Sequence, residues 1–212
     1  MDGPSGSGKS STSRGVATRL GLRYLDTGAM FRAVTWWMLQ RDVDLDDPEA
    51  IAARAAEPVL VSGTDPSAPT IHVDGINVAG PIRSPEVTTA VSAVSAVPAV
   101  RARLLQQQRD IIGDGGIVVE GRDIGTVVAP DARVKVYLTA DSSARAARRT
   151  AELGATTVQA TQHDLIRRDM ADSGRATAPL AMADDAHHID TTSFTLQEVV
   201  DQVVALVEQG GS

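Results

Sequence analysis

The sequence predicts an α/β fold: a parallel β-sheet flanked by helices, with a small antiparallel three-stranded insert and a helical lid. Short apolar runs rich in β-branched residues alternate with longer segments of helical periodicity, which is typical of a parallel sheet. Residues 58–82 break this alternation, because short strand-like runs there are separated by Gly, Asp and Pro turns. A chain of 212 residues is long enough for one domain with an appended part.

Each predicted element follows from its own local pattern. The predicted core strands are the apolar runs at residues 23–25, 117–120, 134–138 and 187–189. The predicted helices are residues 9–20, 28–40, 98–112, 142–153, 158–171 and 195–209. Gly21 directly follows the first helix, as expected for a helix C-terminus. We predict a core at residues 1–57 and 101–212, a lid at about 143–175, and an insert at 58–100.

Composition limits the classes of function. The formal net charge of −7 argues against an overall basic surface that binds nucleic acid. The absence of cysteine excludes disulfide scaffolds, thiolate metal sites and cysteine nucleophiles. No apolar run approaches the roughly 20 residues that span a bilayer, and the first residues do not resemble a signal peptide. We therefore expect a cytoplasmic monomer with no nucleic-acid or membrane partner.

A glycine-rich segment near the start fits the phosphate-loop pattern G-x-x-x-x-G-K-[ST]. Residues 3–10 read GPSGSGKS, and the first predicted helix follows directly. Backbone N–H groups of such a loop bind an anion, the lysine reaches the β- and γ-phosphates, and the hydroxyl reaches Mg²⁺. Lys9 and Ser10 occupy the last two positions. The segment predicts a P-loop NTPase core that binds a nucleoside triphosphate.

Two further observations narrow this class. Glu120 ends the apolar run IVV and is the candidate acid that holds the water shell of Mg²⁺ together with Ser10. A GTPase would carry an Asn-Lys-x-Asp segment, but the single asparagine is Asn77 and no lysine follows it. The pattern therefore favours a kinase or another ATP-dependent enzyme over a GTPase.

The basic residues are almost all arginine, since only Lys9 and Lys135 are lysines. Several arginines stand beside small or acidic residues in the segments DTGAMFR, SAVSAVPAVR, EGRDIGTVV and RRDMADSGR. A planar guanidinium binds phosphate in a bidentate manner that lysine cannot reproduce. An enzyme that joins two nucleotides needs such groups, because the charges of both ligands meet at the transferred phosphoryl group. The sequence thus predicts a positively charged cleft in an acidic protein.

The start of the chain is unusual for a phosphate loop. Such a loop normally follows a buried strand, yet only Met1 and Asp2 precede Gly3. We expect a truncated start, with Met1 at the last apolar position of that strand.

The segments DGPSGSGKSS, LDTGAMFR, EGRDIGTVV and RRDMADSGRATAPL, together with the insert, resemble bacterial cytidylate kinases over essentially the whole chain. GRDIGTVV is the most specific of them, because adenylate, guanylate and shikimate kinases share the loop but not this segment. The resemblance implies transfer of the γ-phosphoryl group of ATP to CMP and dCMP with Mg²⁺ as cofactor. It implies catalytic roles for Lys9, Arg122 and Arg175.

The resemblance also implies a set of binding residues. Those expected to bind ATP are Gly3, Pro4, Ser5, Gly6, Ser7, Gly8, Lys9, Ser10, Ser11 and Arg148. Those expected to bind CMP are Thr27, Phe31, Arg32, Ser92, Arg101, Arg122, Asp123, Arg168, Asp172 and Arg175. Those expected near Mg²⁺ are Ser10 and Glu120, partly through water.

Roles within the CMP set differ by chemistry. The resemblance assigns the acceptor phosphate to Arg32, Arg122 and Arg175, and the cytosine to Ser92, Arg101 and Asp123. It assigns the ribose hydroxyls to Arg168 and Asp172. Cytosine presents an amino donor beside two acceptors, so an Asp or Ser acceptor with an Arg donor distinguishes it from uracil.

Three positions depart from the family pattern: Thr27 stands where Ser is frequent, Phe31 where Tyr is frequent, and Glu120 where Asp is frequent. Two alternatives stay open from the sequence. One is a P-loop kinase for another small acceptor such as UMP. The other is a nucleotide-binding module without catalysis.

Overall fold

The computed structural model of the chain describes residues 1–153, 157–175 and 177–210, without the side chains of residues 152 and 153. The predicted lid at 143–175 includes residues 154–156, which lie outside the described residues. Chain contacts divide the protein into a first unit, Met1–Leu22 with Val118–Ser212, and a second unit, Arg23–Ile117. Such contacts do not report which ligand a segment binds, so the domain division expected from the sequence stays a prediction.

Helices and strands alternate along most of the chain. In chain order the elements are α1 (Lys9–Leu20), β1 (Arg23–Asp26), α2 (Thr27–Leu39), α3 (Pro48–Arg54), β2 (Leu60–Ser62), β3 (Ile71–Val73), β4 (Ile76–Asn77), α4 (Pro85–Ala96), α5 (Pro98–Ile112), β5 (Ile117–Glu120), β6 (Val136–Thr139), α6 (Ser142–Leu153), α7 (Val158–Ser173), β7 (His187–Asp190) and α8 (Leu196–Gln209). A 3₁₀ turn at Pro81–Arg83 precedes α4, and a π-helical turn at Ile124–Val128 follows β5.

The sheet of the first unit is parallel. β6 and β7 pair in parallel, with Val136 opposite His187. Asp2 forms a parallel bridge with Tyr137, and the Met1 amino group donates to the Val119 carbonyl at 2.7 Å. Met1 and Asp2 therefore lie between β5 and β6, in agreement with the strand position expected for Met1.

Aliphatic side chains form the core beside this sheet. Val16 of α1 and Val200 of α8 belong to one buried cluster with Leu138 of β6 and Ile189 of β7. α8 begins with a capping box, in which the Thr195 side chain and the helix residue three positions later satisfy each other's backbone N–H groups. The cluster holds α1, and with it the end of the phosphate loop, against the strands.

The second unit contains an antiparallel sheet and packed helices. Val61 of β2 lies opposite His72 of β3, and Val73 lies opposite Ile76 of β4. Helix α2 packs against β3 and α4. The Trp37 indole N–H donates to Asp74 Oδ2 at 2.6 Å, which joins α2 to the turn between β3 and β4.

These elements confirm the predicted fold class: parallel strands, an antiparallel sheet in residues 58–82, and surrounding helices. Several boundaries differ by one or two residues; β6, for example, begins at Val136 instead of residue 134. α2 begins at Thr27 instead of residue 28, because the carboxylate of Asp26 accepts a hydrogen bond from the Ala29 N–H at 2.9 Å. Helices α3 and α4 were not among the predicted elements. Within the described part of the chain, every helix is too short or too polar to cross a membrane.

Candidate active site

The phosphate loop runs from the bridge at Asp2 into α1. Gly8 adopts φ +89° directly before α1, a conformation that residues with a side chain rarely adopt. At Gly3 a Cβ atom would collide with the carbonyl oxygen of Leu138. Glycine is therefore required at the entrance, where the chain passes β6, and at the exit, where the loop turns into the helix.

Lys9 and Ser10 lie in the first turn of α1. Lys9 is only 6% exposed, and its Nζ donates to the Pro4 carbonyl at 2.8 Å. The Ser10 hydroxyl donates to Glu120 Oε2 at 2.9 Å, across 110 residues of sequence. Glu120 is buried at the end of β5. The fold thus brings together the two oxygen donors that the sequence singled out for Mg²⁺.

Two residues that are not in the predicted set of binding residues hold the loop from outside. Arg145 of α6 donates through Nη1 to the Ser5 carbonyl at 3.1 Å and to Asp169 Oδ2 at 2.5 Å. The buried hydroxyl of Thr191 donates to the Ser7 carbonyl at 3.1 Å. Arg145 resembles the neighbouring arginines of α6 in sequence, so no local signal distinguishes it.

Arg148, predicted to bind ATP phosphates, lies in the same helix. Its guanidinium donates to the Thr191 hydroxyl at 2.9 Å and to the Thr191 carbonyl at 2.6 Å. These contacts fix α6 to the residues that follow β7. The role of Arg148 toward ATP stays a prediction.

Asp172 is the centre of an ion-pair cluster in the first unit. Arg122 Nε donates to Asp172 Oδ2 at 2.9 Å, and Arg175 contacts the other carboxylate oxygen. Burial opposes ionisation of Asp172, but the charges of Arg122 and Arg175 outweigh it and hold the pKa of its carboxyl below the ordinary value of 3.8. Three of the predicted CMP residues are therefore in direct contact.

Arg168 lies on the same helix as Asp172. Its buried Nε makes no hydrogen bond among the described residues. Burial, together with the nearby charge of Arg122, lowers the pKa of Arg168 to about 10. Cationic groups this close repel one another, so the cluster is suited to receive an anion.

Of the other predicted CMP residues, Asp123 lies in the first unit, and the second unit holds Thr27, Phe31, Arg32, Ser92 and Arg101. Arg32 of α2 donates through Nη1 to the Ile82 carbonyl at 2.9 Å and to the Thr88 hydroxyl at 3.0 Å. The guanidinium of Arg101 lies 5.3 Å from the ring centre of Phe31, a distance that permits a cation–π contact. Thr27 is buried at the start of α2, and Ser92 lies on α4.

Contacts of Asp172 predict how stability depends on pH. A carboxyl whose folded-state pKa is lowered stabilises the fold above its ordinary pKa, and the stabilisation is lost as the pH falls through the lowered value. Asp172→Asn should reduce the free energy of unfolding at pH 7 by about 1.5–3 kcal/mol. The difference from wild type should shrink as the pH is lowered from about 5 to about 3, measured by urea unfolding.

The control for this prediction is Asp164→Asn on the same helix. Asp164 pairs with Arg167, and both side chains are about two-thirds exposed, at 65% and 67%. Such a pair contributes little stability. A difference between Asp172→Asn and wild type that stays constant over this pH range would contradict the assignment.

The comparisons with known proteins agree with this site. The family described as cytidylate kinase matches residues 1–209. A cytidylate kinase of Streptomyces griseus subsp. griseus is 62% identical over 210 residues, which cover 98% of this chain and 91% of the relative. One of Streptomyces avermitilis is 60% identical, with 99% and 91% covered, and one of Nocardia farcinica is 54% identical, with 99% and 92% covered. With a phosphate loop, a strand-end acid and an arginine cluster joined in one unit, and relatives this similar over nearly its full length, the chain belongs to the cytidylate kinase family of enzymes.

Proposed function

We propose that this protein transfers the γ-phosphoryl group of ATP to CMP and dCMP, forming ADP and CDP or dCDP. One observation carries the proposal beyond family membership. The phosphate loop, the Ser10–Glu120 contact and the Arg122–Asp172–Arg175 cluster all belong to the first unit. Arg122 and Arg175, two of the three residues expected to bind the acceptor phosphate, thus belong to the same compact unit as the residues expected to bind the ATP phosphates.

Residues of the loop account for ATP binding. The N-terminus of α1 and the backbone N–H groups of a glycine-rich loop favour a polyanion. Lys9 supplies the positive charge next to the loop carbonyls, at 2.8 Å from the Pro4 oxygen. The ammonium group has three N–H donors, so it can bind oxygen atoms of a triphosphate when ATP enters the loop.

Ser10 and Glu120 suit a magnesium ion. Both side chains offer hard oxygen atoms, and Ser10 Oγ lies 2.9 Å from Glu120 Oε2, close enough for one ion to contact both. Mg²⁺ is commonly held by one or two protein oxygens together with substrate phosphates and water. Among the described residues, no cluster of three or more His, Asp or Glu side chains forms a metal site. When bound beside Ser10 and Glu120, Mg²⁺ would neutralise charge on the β- and γ-phosphates.

The arginine cluster accounts for acceptor binding. Arg122 and Arg175 share one carboxylate, so the pair carries a net positive charge that the acceptor phosphate can compensate. Asp123 precedes the π-helical turn and is buried, at 5% exposed. A buried acid can accept a hydrogen bond from the cytosine amino group, which uracil lacks.

The reaction itself needs no general base. An oxygen of the CMP phosphate is already anionic and forms the new P–O bond, while the bond to the β,γ-bridging oxygen of ATP breaks and ADP leaves. Catalysis is therefore positioning and charge stabilisation by Lys9, Arg122 and Arg175. Closure of α6 and α7 over the nucleotides would exclude the water that hydrolyses ATP.

ADP release, followed in a coupled assay with CMP, dCMP, UMP, AMP and shikimate, tests the acceptor. We expect turnover with CMP and dCMP, and lower kcat/KM with UMP and AMP. A preference for UMP would instead support a kinase for another acceptor. Tight binding of ATP and CMP without turnover would identify a nucleotide-binding module without catalysis.

Asp123→Ala tests the base-reading role in the same assay. We expect the ratio of kcat/KM for CMP to that for UMP to fall by about 10- to 100-fold. The turn should persist, because the Val127 and Val128 N–H groups bond to the backbone carbonyl of Asp123, which the substitution keeps. Asp131→Ala, an exposed acid a few residues later, is the matched control. An unchanged ratio in Asp123→Ala rejects the assignment.

A further inference from the structure

Asp2 is a buried acid to which the proposed function assigns no role. Only 6% of the residue is exposed. Its carboxylate accepts two hydrogen bonds from successive backbone groups, the Ile124 N–H on Oδ1 and the Gly125 N–H on Oδ2, both at 2.8 Å. Across 122 residues of sequence, the side chain connects the start of the phosphate loop to the turn after β5.

The backbone of Asp2 is fixed independently of this side chain. The Asp2 N–H donates to the Val136 carbonyl at 2.8 Å, and the Leu138 N–H donates to the Asp2 carbonyl at 2.8 Å. Asp2 is thus part of the sheet, and Gly3 beside it is confined by the Leu138 carbonyl. A substitution of the Asp2 side chain leaves these backbone bonds to β6 available.

The turn that Asp2 holds begins directly after Arg122 and Asp123. Its first N–H groups lie at the start of a helical turn, where no carbonyl of the same turn is available to them. The carboxylate of Asp2 supplies both acceptors. The fit is close, because a Cβ atom on Gly125 would lie 3.3 Å from Asp2 Oδ2 and 3.3 Å from Lys135 Cδ. The position of the turn therefore depends on Asp2.

We propose that Asp2 is a positioning residue, which sets Arg122 and Asp123 relative to the phosphate loop so that acceptor phosphate and base are held in register with the donor. The inference rests on the proposed function, since it concerns the acceptor residues of that reaction. Loss of the Asp2 side chain should therefore affect acceptor binding and ATP binding differently, whereas a general loss of stability would affect both alike. Acceptor binding and selectivity depend on the Asp2 side chain, whereas ATP binding depends on the backbone that β6 holds.

Asp2→Asn tests the proposal with little change in shape. An amide can accept only one of the two hydrogen bonds, and its NH₂ group faces an N–H donor. We expect the KM for CMP to rise by about tenfold or more and the preference for CMP over UMP to fall, while the KM for ATP changes less than about threefold. Asp131→Asn, an exposed acid after the same turn, should leave all three quantities unchanged.

Gly125→Ala disturbs the same contact from the other partner. We again expect the KM for CMP to rise more than the KM for ATP. This variant also tests the proposal if Asp2→Asn does not fold. The backbone N–H groups of residues 124 and 125 should exchange faster in both variants than in the wild type. Thermal unfolding of each variant gives its Tm, and the kinetic assays are done at a temperature well below that Tm.

Equal changes in the KM values for ATP and CMP, or a lower Tm with unchanged kinetics, would show a purely structural role and overturn the proposal. Unchanged exchange at Ile124 and Gly125 in Asp2→Asn would overturn it as well. A wild-type chain without CMP phosphorylation contradicts the proposed function instead. The exchange measurement and the wild-type assay therefore distinguish the two failures.

Discussion

Lys9→Ala should abolish phosphoryl transfer, with kcat lowered by about 10³-fold or more. The lysine is the one cationic side chain inside the phosphate loop segment 3–10, and it is 6% exposed. We expect its ammonium group to stabilise the negative charge on the transferred phosphoryl group. Because the side chain is buried, water screens this interaction less than it would at an exposed site. Because the interaction is strongest in the transition state, kcat should fall more than the affinity for ATP.

A second variant separates charge from packing. Lys9→Met keeps most of the aliphatic volume and removes the ammonium group, so its kcat should fall as far as that of Lys9→Ala. Arg19→Ala is the control on the same helix, because Arg19 is half exposed and pairs with Asp201 on the surface. Retention of more than about a tenth of wild-type kcat in Lys9→Met would contradict the proposed role.

Arg122→Ala should lower kcat/KM for CMP by about 10³-fold. Arg122 donates to Asp172 at 2.9 Å and is 20% exposed, so it is held in place and still accessible to a phosphate. Removing it takes one cationic group away from Asp172, which Arg175 still contacts, and this reduces the positive charge available to the acceptor. The affinity for ATP should change much less, because the loop residues do not depend on this side chain.

Arg122→Lys should recover only part of the loss. Lysine keeps the charge, but it cannot hold a carboxylate and a phosphate through a planar fork. Arg133→Ala replaces an exposed arginine shortly before β6 and should leave kcat/KM unchanged. If Arg122→Ala loses no more activity than Arg133→Ala, acceptor binding does not involve Arg122. Activity is compared at a temperature where each variant is folded, as judged by circular dichroism.

The sequence predicted most helices, because apolar periodicity and the residues at a helix end are contained in the helix and its immediate neighbours. The predicted bounds of α1, α5 and α6 agree with the structure. The spacing of apolar residues and the residues that directly follow each helix determine these bounds. Helix α4 was missed although Ser84 accepts the Val87 N–H and Pro85 occupies the first turn. Its body is rich in Val and Thr, which weakens the helical signal, and packing against α2 stabilises it instead.

Chemical motifs in the sequence were equally informative about the donor side of the site. The loop pattern selected Lys9 and Ser10, and the strand-end position selected Glu120. The structure joins Ser10 to Glu120 directly. That agreement has a physical reason: a glycine-rich loop before a helix and an acid after a strand have the same geometry wherever they occur in a parallel sheet.

Other parts of the site were out of reach of sequence reasoning. Asp2, Arg145 and Thr191 hold the loop and the turn after β5 through contacts that join residues 122, 140 and 184 positions apart. Neither spacing nor residue type distinguishes them from other buried or helical residues. Only the packing of the sheet against its helices decides which of them reach the loop.

The sequence by itself determined the fold class, the phosphate loop and the family, because each depends on residue types at fixed short spacing. The tertiary structure alone decided that Asp172, which pairs with Arg175 three residues later, also binds the distant Arg122, and that Asp2 holds the turn after β5. These contacts arise when distant segments pack against the same strands. Their energies depend on distance and burial, which no spacing along the chain specifies.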